Sequence, residues 1–177
     1  IILDAFGGDN APAEALKGRS MAVKELGVTV LAVGDIEKMQ ECCKAENIDT
    51  DGIEFKQAKG VFDMKREPMD IVKKAKDTSL YVAFKALSDG EGDALVSAGS
   101  TGAILMGATF ITKRIRGCKR PALGFVLPGE SKSGFLLMDC GANSEVKPEM
   151  LNQFATIGSI YMSKVAGVAN PRVALLN

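Results

Sequence analysis

Short apolar runs alternate along this chain with longer segments in which apolar residues recur at helical spacing. The runs at residues 1–5, 28–34 and 53–58 are short and are typical of strands, the first buried and the third amphipathic. The first intervening helix is predicted to have Asp9 or Asn10 as its N-cap and to end near residue 26. Strands joined by helical crossovers pair in parallel, so this β-α-β-α-β order predicts a parallel sheet.

The alternation continues to the end of the chain and extends the predicted sheet. The further predicted elements are helices at 68–87 with a break near 77–79, a strand at 93–98, a buried helix at 101–113, antiparallel hairpin strands at 121–128 and 133–140 attached to the parallel sheet, a helix at 148–165 and a strand at 171–177. Parallel strands need cover on both faces, which predicts a three-layer α/β/α sandwich with a mostly parallel, doubly wound sheet. A chain of 177 residues is expected to form a single α/β domain over residues 1–177.

Three predicted strands end in glycine-rich polar segments, at residues 4–10, 97–102 and 139–143. In open α/β sheets, ligands bind outside the carboxyl ends of the strands, so the three segments are expected to converge on one crevice. Glycines allow backbone N–H groups to turn inward, and a helix that follows adds the positive end of its dipole. The pattern therefore predicts a site for a small phosphate.

A purely structural interpretation of these segments is also open, because turns between strands and helices favour Gly, Ser and Asp in any case. Asp9 and Asp139 are consistent either with a functional role or with capping of helix N-termini. The sequence contains neither G-x-G-x-x-G nor G-x-x-x-x-G-K-[ST], which disfavours a dinucleotide or P-loop nucleotide site.

The chain contains no histidine, and its four cysteines form no C-x-x-C pair. This composition excludes the usual zinc sites and the histidine-dependent nucleophiles, and we predict neither metal nor cofactor. Equal numbers of basic and acidic residues, 22 each, argue against nucleic-acid binding. No secretory leader precedes the first strand, and the longest apolar stretch, residues 103–112, falls short of the ~20 residues of a membrane span, which predicts a cytoplasmic protein.

A basic segment, residues 113–120, has the sequence KRIRGCKR. As the solvated end of a helix it requires no function, because cations are favoured there. Its functional interpretation is a docking surface for an acidic protein, formed by Lys113, Arg114, Arg116 and Lys119. Arg120 is predicted instead to reach the phosphate.

Taken in order, these segments resemble the phosphate acyltransferase family of bacterial fatty acid and phospholipid synthesis. The matching stretches are DAFGGDNAP (4–12), KDTS (76–79), VSAGSTGA (96–103), RPAL (120–123), LLMDCGAN (136–143), KPEML (147–151) and NPRVALLN (170–177). The chain departs from the family pattern at Ser100, where Asn is usual, at Phe6, where Met is usual, and at Asn10, where many members have His. Members are longer, so the resemblance implies an N-terminal fragment, with the fold of the isocitrate and isopropylmalate dehydrogenases and of phosphotransacetylase.

The resemblance implies transfer of a fatty acyl group from acyl carrier protein to inorganic phosphate, in a homodimer associated peripherally with the inner face of the membrane. It implies four catalytic residues, with Ser100 or Asn143 as oxyanion donors beside Asp9 and Asp139. The implied phosphate-binding residues are Gly7, Gly8, Asn10, Gly99, Thr101, Gly102 and Arg120. Two alternatives stay open: a phosphate acetyl- or butyryltransferase that uses coenzyme A, and a non-catalytic phosphate-binding module.

Overall fold

The computed structural model describes residues 1–129 and 132–176. The chain divides into two compact units, Ile1–Lys113 and Arg114–Asn177. The expectation of a single domain over residues 1–177 stays a prediction.

The first unit is built on four parallel strands. They are β1 (Ile2–Asp4), β2 (Val30–Gly34), β3 (Ile53–Gln57) and β4 (Leu95–Val96), in the spatial order β3-β2-β1-β4. The order reverses at β1, because the chain proceeds outward from β1 to β3 and then returns to place β4 on the other side of β1. Such a reversal is the mark of a doubly wound sheet.

Helices cover both faces of this sheet. The first unit contains α1 (Ala13–Leu26), α2 (Ile36–Ala45), α3 (Asp70–Lys73), α4 (Ser79–Ser88) and α5 (Thr101–Gly107). On one face, Ala32 packs with Leu16 of α1 and Met39 of α2, while on the other Ile2 and Val33 pack with α4. Successive strand residues point to opposite faces, so the apolar runs serve both layers. The predicted α/β fold class with a mostly parallel sheet is confirmed.

The helix after the first glycine-rich segment begins later than predicted. Pro12, and neither Asp9 nor Asn10, is the N-cap of α1, and no side chain caps this helix. The segment before the helix forms a turn in which the Asn10 carbonyl accepts from the N–H of Glu14 at 3.3 Å. Because Pro12 already has a helical backbone conformation, the first turn is complete without a side-chain cap. Capping of α1 therefore does not explain Asp9.

The helix predicted at 101–113 forms as α5 followed by a π-helical continuation, Ala108–Lys113. Ala103 is fully buried against a cluster that includes Leu80 and Phe84, but no residue of Ala108–Lys113 is buried and Phe110 is 50% exposed, so the helix is less buried than predicted. Gly107 lies so close to the Phe84 ring that a Cβ there would overlap it. The helical break predicted near 77–79 is also confirmed, since α3 and α4 are separate helices.

The second unit contains the predicted hairpin, β5 (Gly124–Leu127) and β6 (Phe135–Met138), and one helix, α6 (Pro148–Lys164). The hairpin strands are antiparallel and form a two-stranded sheet of their own, so they do not extend the parallel sheet as predicted. Residues 130 and 131 of the predicted turn lie outside the described residues. Residues 171–176 form no strand, because no strand in the described part of the chain pairs with them, and Asn177 is not described.

The turn after β6 is organised by the Asp139 carboxylate. It accepts hydrogen bonds from the N–H groups of Leu123 (2.8 Å), Ala142 (3.2 Å) and Asn143 (2.8 Å), and from the Asn143 side chain (3.0 Å). Partial burial is the largest single effect and opposes ionisation, but the four donors together hold the pKa of Asp139 below its ordinary value of 3.8. Asp139 thus joins the residue before β5 to the turn that follows β6.

Truncation of Leu16 tests the packing of α1 on the sheet. Leu16 is completely buried, so Leu16→Ala is expected to lower the free energy of unfolding by about 2–5 kcal/mol. Met21 of the same helix is 58% exposed, and Met21→Ala should change it by less than about 0.5 kcal/mol. Urea unfolding followed by circular dichroism measures both, and equal losses would contradict the packing described.

Replacement of Asp139 tests its role in the second unit. Asp139→Asn is expected to lower the free energy of unfolding by about 1–3 kcal/mol at pH 7, because an amide cannot accept all four hydrogen bonds. The folded-state pKa is lowered, so the carboxylate stabilises the fold above pH 3.8, and this contribution is lost as pH falls through the folded pKa. Urea unfolding between pH 7 and 3 should show the two proteins converging at the acid end, and a constant difference would contradict the assignment.

Candidate functional site at the β1/β4 strand ends

The crevice expected in a doubly wound sheet lies where the strand order reverses, which is between β1 and β4. Two of the three glycine-rich segments follow these two strands directly, at residues 5–10 and 97–102. The strands are adjacent and parallel, with Ile2 opposite Leu95 and Leu3 opposite Val96. Both segments therefore leave the sheet at the same edge.

The two segments touch through their glycines. A Cβ built on Gly7 would lie only 2.7 Å from Ser97 Oγ and 2.8 Å from the Gly99 nitrogen, so any side chain at Gly7 would force the segments apart. Gly8 has a φ of +95°, and a Cβ built on it would lie only 3.1 Å from the Cβ of Ala98. Glycine is required at these positions for close approach and for backbone conformation.

Several main-chain donors at this junction have no partner among the described residues. In the described part of the chain, the N–H groups of Gly8, Asp9, Ser100, Thr101 and Gly102 donate no hydrogen bond. Two other amides are engaged, because Gly7 donates to the Asp4 carbonyl at 3.4 Å and Gly99 to Ser97 Oγ at 3.1 Å. Unpaired N–H groups in successive residues form a concavity that suits an anion.

Ser100 is the N-cap of α5 and is 9% exposed. Its Oγ accepts a 3.4 Å hydrogen bond from the N–H of Ala103, which leaves the hydroxyl hydrogen available for a second partner. Thr101, the next residue, is exposed at the start of the helix. Ser100 can therefore cap α5 and still donate to a bound oxyanion.

The third glycine-rich segment, residues 139–143, belongs to the second unit. Both side-chain amide hydrogens of Asn143 are engaged, one with the Pro121 carbonyl at 2.9 Å and the other with Asp139 at 3.0 Å. To act as an oxyanion donor, Asn143 would have to release one of these bonds. Its catalytic role, like that of Asp139 and the convergence of all three segments, stays a prediction.

The basic segment is divided between the units, with Lys113 ending the first and Arg114 beginning the second. No ion pair within the described residues involves its cations. The Arg114 guanidinium donates to the Lys119 carbonyl. The side chains of Arg116, Lys119 and Arg120 are exposed and available to a partner.

Gln153 of α6 holds the basic segment from within the second unit. Its Oε1 accepts from the N–H groups of Lys119 (2.9 Å) and Arg120 (3.4 Å), and its Nε2 donates to the Gly117 carbonyl (2.8 Å). Sequence reasoning missed Gln153, because a single glutamine on a helix carries no local signal of such a contact.

Sequence reasoning also missed Asp4 and Ser97 as members of the site. Ser97 Oγ donates to Asp4 Oδ2 at 2.7 Å, and this bond joins the end of β1 to the residue after β4. A carboxylate inside the apolar run at residues 1–5 was the available signal, since a buried charge requires a specific partner.

The described residues contain no helix long and apolar enough to cross a bilayer. They also contain no cluster of three or more His, Cys, Asp or Glu side chains that could bind a metal ion.

Known proteins resemble this chain in sequence over its whole length. A phosphate acyltransferase of Desulfitobacterium hafniense (strain DSM 10664 / DCB-2) is 42% identical over 177 residues, which cover 100% of this chain and 52% of the relative. A phosphate acyltransferase of Fusobacterium nucleatum subsp. nucleatum is 43% identical over 178 residues, covering 100% and 54%. The chain spans about half the length of the curated relatives it matches.

A solved structure is similar in fold. The EutD phosphotransacetylase from Staphylococcus aureus superimposes with a TM-score of 0.63 at 20% sequence identity, over 94% of this chain and 53% of that one. At this identity the likeness concerns the fold alone. The family model described as "Fatty acid synthesis protein" matches residues 1–177. This chain is therefore a member of the fatty acid synthesis protein family.

Proposed function

We propose that the protein transfers a fatty acyl group from acyl carrier protein to inorganic phosphate and so forms an acyl phosphate for phospholipid synthesis. The observation that carries this proposal is the group of unpaired main-chain N–H groups where β1 and β4 end. Membership of the fatty acid synthesis family and full-chain similarity to proteins named phosphate acyltransferase also support the proposal.

In the proposed site, phosphate binds where the segments after β1 and β4 meet. Gly8, Thr101 and Gly102 offer unpaired N–H groups, while Gly7 and Gly99 permit the close approach of the two segments. Asn10 and Arg120 complete the proposed set as side-chain donors. Main-chain donors suit an oxyanion because they are fixed before it arrives.

The proposed reaction needs little acid or base help. A phosphate oxygen attacks the thioester carbonyl, the C–O bond forms, and the C–S bond breaks with release of the thiolate, which takes up a proton from solvent. Because a thiol of pKa about 8.5 leaves readily as the thiolate, positioning is the larger requirement. Ser100 and Asn143 are proposed as donors to the carbonyl oxyanion, and Asp9 and Asp139 as acceptors of a phosphate proton or orienting groups for cations.

The proposed protein partner is the acidic carrier that presents the acyl thioester. The cations of Lys113, Arg114, Arg116 and Lys119 have no ion pairs within the described residues, so a carboxylate-rich surface could bind without displacing an internal carboxylate. Gln153 fixes part of the segment that bears them. We further propose that the protein is cytoplasmic and, from the family resemblance alone, that it is a homodimer associated peripherally with the inner face of the membrane.

Product analysis tests the proposed reaction. The protein at its natural length is incubated with a long-chain acyl carrier thioester, with and without inorganic phosphate, and acyl phosphate is detected by mass spectrometry. We expect the product only when phosphate is present. Activity with acyl-coenzyme A alone would favour a coenzyme A-dependent transferase. Phosphate binding by calorimetry with no transfer from either donor would favour a non-catalytic module.

Replacement of Ser100 tests the oxyanion donor. Ser100→Ala is expected to lower kcat/KM by about tenfold or more, because the hydroxyl donor is lost. The matched control is Asp35→Ala, which removes a comparable N-cap from α2, where Asp35 accepts from Lys38. Both variants should lose similar thermal stability, measured as Tm, but only Ser100→Ala should lose turnover. Unchanged phosphate-dependent turnover would remove Ser100 from the site.

Charge reversal tests the docking surface. A triple variant with Arg114, Arg116 and Lys119 changed to Glu should bind acyl carrier protein about tenfold more slowly at low salt, with the difference shrinking as salt screens the charges. The control reverses Lys44, Lys65 and Lys73, which are exposed and produce the same change in net charge. Stopped-flow association rates over a range of ionic strengths distinguish the two variants. Equal association rates for the two variants would show that the basic segment is solvated surface and not a docking surface.

A further inference from the structure

The carboxylate at the end of β1 is the polar group that most needs an explanation. Asp4 is 2% exposed, and no ion pair within the described residues involves it. Burial of an unpaired carboxylate is costly, and an apolar residue would serve a buried strand end at lower cost. A carboxylate at this position is therefore explained by the hydrogen bonds that its two oxygens accept.

Each Asp4 oxygen holds one of the two glycine-rich segments. Oδ1 accepts from the N–H of Phe6 at 3.3 Å, at the start of the segment after β1. Oδ2 accepts from Ser97 Oγ at 2.7 Å, in the segment after β4. Ser97 Oγ in turn accepts from the N–H of Gly99 at 3.1 Å. A continuous chain of hydrogen bonds therefore runs from Phe6 through Asp4 and Ser97 to Gly99.

We propose that Asp4 and Ser97 are positioning residues for the phosphate-binding segments. Neither needs to touch phosphate, because the pair acts through Gly99. By engaging the Gly99 N–H, Ser97 fixes the peptide that precedes the unpaired N–H groups of Ser100, Thr101 and Gly102. This inference rests on the proposed function, since it assigns how that anion site is kept in shape.

The packing of Gly7 supports the same conclusion. Its Cα hydrogen faces the hydrogen-bonded group, and a Cβ at Gly7 would lie 2.7 Å from Ser97 Oγ and 2.8 Å from Asp4 Oδ2. The backbone after β1 thus lies directly against the Asp4–Ser97 bond. A shift of that bond would therefore move the segments after β1 and β4 together. A hydrogen bond at only one strand end would move only one segment.

Kinetics of hydroxyl variants test the proposal. Ser97→Ala breaks the chain and is expected to raise the KM for inorganic phosphate at least tenfold, with the KM for the acyl carrier thioester unchanged. Ser97→Thr keeps the hydroxyl and should restore the phosphate KM to within about threefold of the parent. Thr109→Ala is the control, because within the described residues its hydroxyl bonds to the Leu105 carbonyl alone, at 2.6 Å, and its loss should leave both constants unchanged. Equal effects of Ser97→Ala on both KM values, or no rescue by threonine, would overturn the proposal.

Hydrogen exchange on the unmodified protein gives an answer even if Ser97→Ala fails to fold. The Gly99 N–H should exchange at least tenfold more slowly than those of Ser100–Gly102 without ligand, and inorganic phosphate should slow the latter three alone. Rapid exchange at Gly99 would overturn the proposal. Acyl phosphate production by the unmodified protein is measured separately. Absence of this reaction would contradict the proposed function, and the exchange data would still test the role of Asp4 and Ser97.

Discussion

The pairing of β1 with both β2 and β4 is the interaction on which the rest of the first unit depends. β1 has only three residues, yet it is hydrogen-bonded on both sides and supplies Ile2, which is completely buried. Because the strand order reverses here, the segments after β1 and β4 leave the sheet side by side. The glycines, the unpaired amides and the Asp4–Ser97 bond all follow from that adjacency. A change of neighbour for β1 would separate every part of the candidate site.

Periodicity in the sequence was sufficient to predict most of the first unit. Apolar runs and helical spacing do not depend on distant contacts, so β2, β3 and the break between α3 and α4 were located within a few residues. The start of α1 was predicted wrongly, because cap preferences favour Asp9 and Asn10, whereas the turn before Pro12 completes the helix without them. The strand predicted at 171–177 also failed over its described residues, because a strand needs a partner and Leu175 and Leu176 remain 74% and 81% exposed.

The candidate site was only partly predictable, for a related reason. Composition marked the glycine-rich segments, and the topology rule for doubly wound sheets indicated where they should meet. Residues that act across long sequence separations gave weaker signals. Asp4 and Ser97 lie 93 positions apart, and Gln153 lies 34 positions from Lys119, so only the folded chain shows that they are in contact. The polar residue inside an apolar run was the one available indication for Asp4.

The use of main-chain amides in the candidate site has a consequence for acidity. A peptide N–H has no ionisation in the physiological range, unlike histidine, which this chain lacks entirely. A pocket built from such donors keeps the same electrostatic character whether its surroundings are mildly acidic or mildly alkaline. Any variation of anion affinity over that interval would then arise from groups other than these amides, such as the ligand itself or nearby carboxylates.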